Sequence, residues 1–127
     1  VFNPGDHGST FGGNPLSCVF INAMLDWLAE PANLRGVEEK GDAIKQRLTN
    51  LCWPKNVRGA GMLIAFDVDV DGIEFAMGCL DKGLLIGAFR KGAGAVKITP
   101  PLNISDEQLE SGLDTMDYVY RKLKGKQ

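Results

Sequence analysis

Ser9 and Thr10 are adjacent hydroxyl residues within Val1-Phe-Asn-Pro-Gly-Asp-His-Gly-Ser-Thr-Phe-Gly-Gly-Asn-Pro15, a loop with glycine at positions 5, 8, 12 and 13. Glycines open backbone conformations closed to other residues, so free N–H groups and short hydroxyls can converge on the oxygens of an anion such as phosphate. The spacing fits neither the dinucleotide-binding nor the Walker pattern, and on composition alone a plain connecting loop competes with an anion cradle. His7, beside Ser9 and Cys18, raises a hydrolase reading with His7 as the base. The loop lacks the strand, Gly-x-Ser-x-Gly and helix context of a nucleophile elbow, and His7 is the only histidine. It therefore reads as a structural loop residue.

Two further constellations imitate sites. Asp67-Val-Asp-Val-Asp-Gly72 resembles the opening of a calcium loop, but the twelfth position is Gly78, where a bidentate glutamate is required, and Glu74 fills the usual apolar eighth position. Calcium is rejected, and no metal is expected. Cys18, Cys52 and Cys79 are odd in number and without CxxC spacing, so neither a disulfide framework nor a zinc site is supported. All three are expected to be small buried hydrophobes.

The 127 residues, 44% apolar and 24% charged, suffice for one core, and the net charge of −2 provides no basic surface to attract nucleic acid or anionic lipid. Neither class of partner is expected. No apolar run approaches the ~20 residues of a membrane span and no signal segment opens the chain, which reads as cytoplasmic, with the mitochondrial matrix as the alternative. The chain opens at Val1 inside a loop pattern, so a fragment of a longer polypeptide is expected.

Several elements must position these residues. Asn14 and Pro15 read as N-cap and first helical position. Leu16, Val19, Phe20, Ala23, Met24, Trp27 and Leu28 predict a well-buried helix that stops at Pro31. Leu34, Val37, Gly41, Ile44, Leu48 and Leu51 predict a more exposed helix, with Gly41 at a close crossing. Met62, Ile64, Phe66, Val68 and Val70 alternate with Asp67 and Asp69 over the second half of a strand. Asp71-Gly72 turns the chain into a short helix with Ile73, Ala76, Met77 and Leu80 as its stripe. Leu84–Phe89 and Ala95–Ile98 predict a hairpin around Arg90 to Gly94. Ser105 and Gln108 form a capping box that opens a last helix with Leu109, Leu113, Met116, Tyr120 and Leu123 as its stripe. Arg121, Lys122, Lys124 and Lys126 suit its C-terminal end. The fold class is α/β of the α+β type, with roughly three strands covered by helices on one side.

The string Pro4-Gly-Asp-His-Gly-Ser-Thr-Phe-Gly-Gly-Asn-Pro-Leu16 closely resembles the segment after the active-site lysine in class III (fold type I) pyridoxal-phosphate aminotransferases, especially the acetylornithine and ornithine group. Val57-Arg-Gly-Ala-Gly-Met-Leu63, Gly83-Leu-Leu-Ile86 and Val96-Lys-Ile-Thr-Pro-Pro-Leu-Asn-Ile104 follow in the family's order, so essentially the whole chain is covered. The resemblance implies that residues 1–15 are a phosphate-contacting loop on the large-domain side. Residues 16–127 would be the C-terminal small domain. It implies that Thr10, with Ser9 beside it, contacts the phosphate of pyridoxal 5'-phosphate across a homodimer interface.

Lys97 stands where the family carries the arginine that grips the substrate α-carboxylate, a departure that keeps the charge but loses the two-pronged guanidinium. Arg90 is a second candidate to reach a substrate, against an ordinary surface arginine. Arg58 matches a family feature and is assigned to structure, in packing or an ion pair. The lysine that carries the cofactor would precede residue 1, so no catalytic residue is expected in this chain and it is expected to be inactive alone. The whole enzyme, including a missing N-terminal large domain, would move an amino group from ornithine, N-acetylornithine or a similar ω-amino donor to 2-oxoglutarate. Alternatives are another donor of the family, such as 4-aminobutyrate or diaminobutyrate, or a stand-alone non-catalytic assembly module.

Overall fold

The computed structural model describes residues 3, 5–6, 8–89 and 93–125. His7, Arg90 and Lys126 lie outside the described residues, as does most of the expected hairpin turn. The chain divides into two units, Val1–Arg35 and Gly36–Gln127.

In the first unit, Asn14 caps α1 (Pro15–Ala29) by accepting the Ser17 N–H on Oδ1 at 3.0 Å, and Pro15 opens the helix as expected. The Glu30 N–H closes α1 on the Trp27 carbonyl, and Pro31 both ends the pattern and starts α2 (Pro31–Asn50). The expectation of a well-buried α1 fails. No residue of α1 is buried, and Leu16, Val19, Phe20, Ile21, Met24 and Leu25 are each more than half exposed. Ile21 and Leu25 lie across the helix from the Leu16–Phe20 stripe, so apolar groups surround the axis, and such a helix is buried only when covered on several sides.

In the second unit, β1 (Lys55–Ala60), β2 (Leu63–Asp71), β3 (Gly87–Ala88) and β4 (Ala93–Ile98) form an antiparallel sheet in the order β1-β2-β4-β3. The expected three strands become four because β1 joins as an edge. Its sequence hid it, since only Val57 turns even partly inward. The pairing of β1 with β2 needs glycine at Gly59. A Cβ on Gly59 (φ +135°) would stand 2.1 Å from the Leu63 carbonyl oxygen.

Ile64, Phe66, Val68 and Val70 of β2 point into the core with Val96 and Ile98 of β4, meeting Ile44 and Leu48 of α2, Phe75 and Cys79 of α3 (Gly72–Leu80), and the stripe of α4 (Asp106–Lys124). That stripe is Leu109, Leu113, Met116, Val119 and Tyr120, close to the expected set, and the Ser105–Gln108 capping box is present. Trp53 ties the core together. Its ring stacks on Tyr120 at 4.2 Å, meets Phe66 and Phe75 edge-on, and its Nε1–H donates to Asp117 at 2.8 Å.

Three expectations change or resolve here. α3 buries Gly72, Phe75 and Cys79, while Ile73, Met77 and Leu80 are exposed. A helix apolar on two faces leaves the choice of face to packing. Only Cys79 is a buried hydrophobe, its thiol pushed up to about 12 by burial, whereas Cys18 and Cys52 are exposed. Cys52, at φ +64°, occupies the left-handed position just past the end of α2. Gly41 is at the expected crossing: a Cβ there would lie 2.3 Å from the Gly61 carbonyl oxygen.

Candidate functional site

Ser9 and Thr10 lie exposed in the loop before α1. Gly12 makes room for the first hydroxyl, since a Cβ at that position would stand 2.9 Å from Ser9 Oγ, and Gly13 takes φ +74°. Asn14 organises the segment beyond its capping role. Its Nδ2 donates to the Phe11 carbonyl and to Ser17 Oγ, pinning the backbone just after Thr10 to the start of the helix. The sequence does not announce that second role: the Asn-Pro pair shows where the helix starts, but nothing local shows the return contact to Phe11. Two exposed hydroxyls on a glycine-shaped, side-chain-pinned loop are a chemically suitable holder for phosphate oxygens.

Lys97 sits on β4, directly opposite Ala65 of β2 and Gly87 of β3. Arg58 of β1 faces Ala65 in turn, so Arg58, Ala65, Lys97 and Gly87 form one row across all four strands. The row lies on the sheet face opposite Ile64, Phe66, Val96 and Ile98, because side chains alternate along each strand. Arg58 and Lys97 are two strand spacings apart, about 10 Å.

Asp67 belongs to the same face, opposite Ala95 and therefore diagonal to Lys97. It is already engaged. Asn56 Nδ2 donates to one oxygen at 2.8 Å, and Arg58 donates to the other at 3.0 Å and to the Asn56 carbonyl at 2.7 Å. The bonds from Asn56, then from Arg58, hold the Asp67 carboxyl below its usual range. This is the ion-pair role expected of Arg58. The clamp depends on a bulge between Lys55 and Arg58, where Asn56 adopts φ +51°. Lys97 itself is half-buried and makes no ion pair among the described residues; its ammonium lies 5.3 Å from the centre of the Phe89 ring. The sequence marks Phe89 only as a strand residue, since the contact exists only in the β3–β4 register.

Among the described residues no group of three or more His, Cys, Asp or Glu is placed to hold a metal ion. No helix is long and apolar enough to cross a membrane among those residues.

Comparison with known proteins gives this geometry a context. The family described as aminotransferase class-III matches residues 1–119. The chain is 35% identical to an acetylornithine aminotransferase of Caldanaerobacter subterraneus over 98% of its own length and 32% of that protein. It is 38% identical to the acetylornithine aminotransferase of Haemophilus ducreyi, over 94% of this chain and 30% of the relative. The ornithine aminotransferase of Toxoplasma gondii, in a structure with partial occupancy of PLP at its own active site, matches with a TM-score of 0.76 and 29% identity. That match covers 98% of this chain and 31% of the other. The chain thus spans about a third of the length of the relatives it matches.

Proposed function

We propose, from the premise that this chain belongs to the class-III aminotransferase family, that it is the C-terminal part of a pyridoxal-phosphate-dependent transaminase. In this reading residues 1–15 form the phosphate-contacting loop on the large-domain side, and residues 16–127 the small domain. The amino donor is ornithine, N-acetylornithine or a similar ω-amino compound, and 2-oxoglutarate accepts the amino group. The acetylornithine and ornithine aminotransferases among its relatives support that choice of donor. The remaining length supplies the large domain and the lysine that carries the cofactor, so the 127 residues alone do not transaminate. The enzyme works as a homodimer in the cytoplasm, or alternatively in the mitochondrial matrix.

Pyridoxal phosphate, when bound, supplies the electron sink that amino-group transfer requires. The residues here bind and orient. Thr10 Oγ1 and Ser9 Oγ donate to phosphate oxygens across the dimer interface, in a loop whose shape Gly12, Gly13 and Asn14 maintain. Lys97 Nζ faces the substrate α-carboxylate as a point charge, holding the substrate by charge and by ammonium hydrogen bonds rather than by a planar fork.

The observation that carries the reading is the glycine-shaped loop with exposed Ser9 and Thr10, in a chain that matches the family over residues 1–119. Its test is Thr10→Ala in the full-length polypeptide. A hydrogen bond to a charged group contributes about 1.5–3 kcal/mol, so pyridoxal phosphate affinity should fall about ten- to a hundred-fold, read by cofactor absorbance after dialysis. Unchanged cofactor retention would overturn the assignment of Thr10.

A further inference from the structure

A lysine in a carboxylate-binding role has a problem that an arginine does not. Its charge sits at the end of four rotatable bonds, and each binding event must immobilise that stem. A nearby acid would fix the ammonium but would also neutralise it. The structure around Lys97 avoids both outcomes. The stem lies alongside Gly87, close enough that a Cβ there would be in van der Waals contact with Lys97 Cε at 3.7 Å and with its Cβ at 3.8 Å. Beyond it the ammonium meets the Phe89 ring at 5.3 Å, within cation–π range. Phe89 is held in place by its N–H, which donates to the Ala95 carbonyl at 3.2 Å, although its side chain is 63% exposed. The diagonal acid, Asp67, is occupied by Asn56 and Arg58.

We propose that Phe89 is a positioning residue for Lys97: its ring orients the ammonium without cancelling its charge, so that N–H donors remain free for a substrate carboxylate. The inference rests on the reading of Lys97 as the carboxylate partner and adds the residue that makes a lysine serviceable there. An aromatic face attracts the cation through its quadrupole and carries no net charge, so the site keeps its full positive charge. Truncating the ring frees the stem, and the loss falls on substrate binding rather than on the later steps.

The test uses the full-length transaminase with ornithine and N-acetylornithine as donors, and the variants Phe89→Leu, Phe89→Tyr, Lys97→Met and the pair Phe89→Leu with Lys97→Met. Phe89→Leu should raise donor KM about two- to five-fold with a smaller change in kcat, in line with a cation–π contact at an exposed site. Phe89→Tyr, which keeps the ring, should restore most of the loss. Lys97→Met should raise KM about ten-fold or more. Adding Phe89→Leu to it should cost nothing further. If Lys97→Met raises KM while Phe89→Leu does not, or if Phe89→Leu acts equally without Lys97, or if Phe89→Tyr is as poor as Phe89→Leu, the positioning role of Phe89 is wrong. If Lys97→Met leaves KM unchanged, the carboxylate reading of Lys97 falls and the proposal falls with it. Because the Phe89 side chain is largely exposed, folding is not at stake, and circular dichroism of each variant confirms this independently.

Discussion

α1 and α4 are helices of similar size with opposite fates: α4 buries five side chains over 19 residues, while α1 buries none over 15. The difference lies in where the apolar groups stand. In α4 the buried groups, Leu109, Leu113, Met116, Val119 and Tyr120, fall on one face continued by Leu123, and the first turn is acidic and the last basic, as suits the helix dipole. In α1 apolar residues occupy opposite sides, with no acidic residue in the first turn and no basic residue in the last. A single-sided stripe is satisfied by one neighbouring layer, whereas an all-round apolar helix requires several. Contiguous exposed apolar surface of this kind marks an interaction site. In the proposed reading, the rest of the polypeptide provides that cover.

The largest expected effect breaks the comparison directly. Phe66 is fully buried at the centre of the second unit, and Phe66→Ala should cost about 3–5 kcal/mol. Phe20, 67% exposed on α1, should cost no more than about 0.5 kcal/mol on the same change. Urea unfolding of the 127-residue chain, followed by Trp53 fluorescence in a Trp27→Phe background, reports on the packed unit. Comparable losses from the two substitutions would show that α1 is already packed in the isolated chain.

A smaller effect separates two glycines of one helix. Gly41→Ala would drive a methyl group to within 2.3 Å of the Gly61 backbone carbonyl, which lies in a turn that cannot yield easily. The change should destabilise by about 1–3 kcal/mol even though alanine favours a helix. At Gly36, in the same helix, a Cβ would meet nothing within 4 Å. Gly36→Ala should therefore stabilise by up to about 1 kcal/mol. Thermal melts of the two variants should shift in opposite directions, and a shift in the same direction would locate the packing boundary of α2 elsewhere.

What the chain reveals before it is folded follows the same division. Asn14-Pro15, the Ser105–Gln108 box and the alternation through Asp67 and Asp69 are local devices, and each acts where its residues stand. The face of α3 is illegible because Phe75 and Cys79 compete with Ile73, Met77 and Leu80 on equal local terms, and only the tertiary fit selects between them. β1 is illegible for a related reason: its pairing relies on the Gly59 approach to Leu63 and on a bulge at Asn56, neither of which leaves an alternating pattern. In the candidate site, Ser9, Thr10 and Lys97 are visible as residue types in recognisable strings. The contacts of Lys97 with Phe89 and of Asp67 with Arg58 are not, because both arise from strand register.

The smallest expected effect is acid sensitivity, and it should fall on the packed unit. Asp67 is held low by Asn56 and Arg58, and Asp69 by the Tyr120 hydroxyl and Lys124. At Asp117, burial pushes the carboxyl up, but hydrogen bonds from Arg121 and Trp53 outweigh it and leave the group lowered. Each folded-state pKa lies below the ordinary value of 3.8, so the folded protein binds fewer of these protons than the unfolded chain at acid pH. The stability they contribute is complete above that value and is lost as pH falls through the lowered ones. Urea midpoints should thus change little on account of these groups between pH 7 and pH 5, then decline below about pH 4. Asp67→Asn should be less stable at pH 7 but lose less on acidification than the parent chain, because one of the three proton-linked contacts is gone. An equal acid decline in both chains would mean that the Arg58–Asn56 clamp on Asp67 adds no stability.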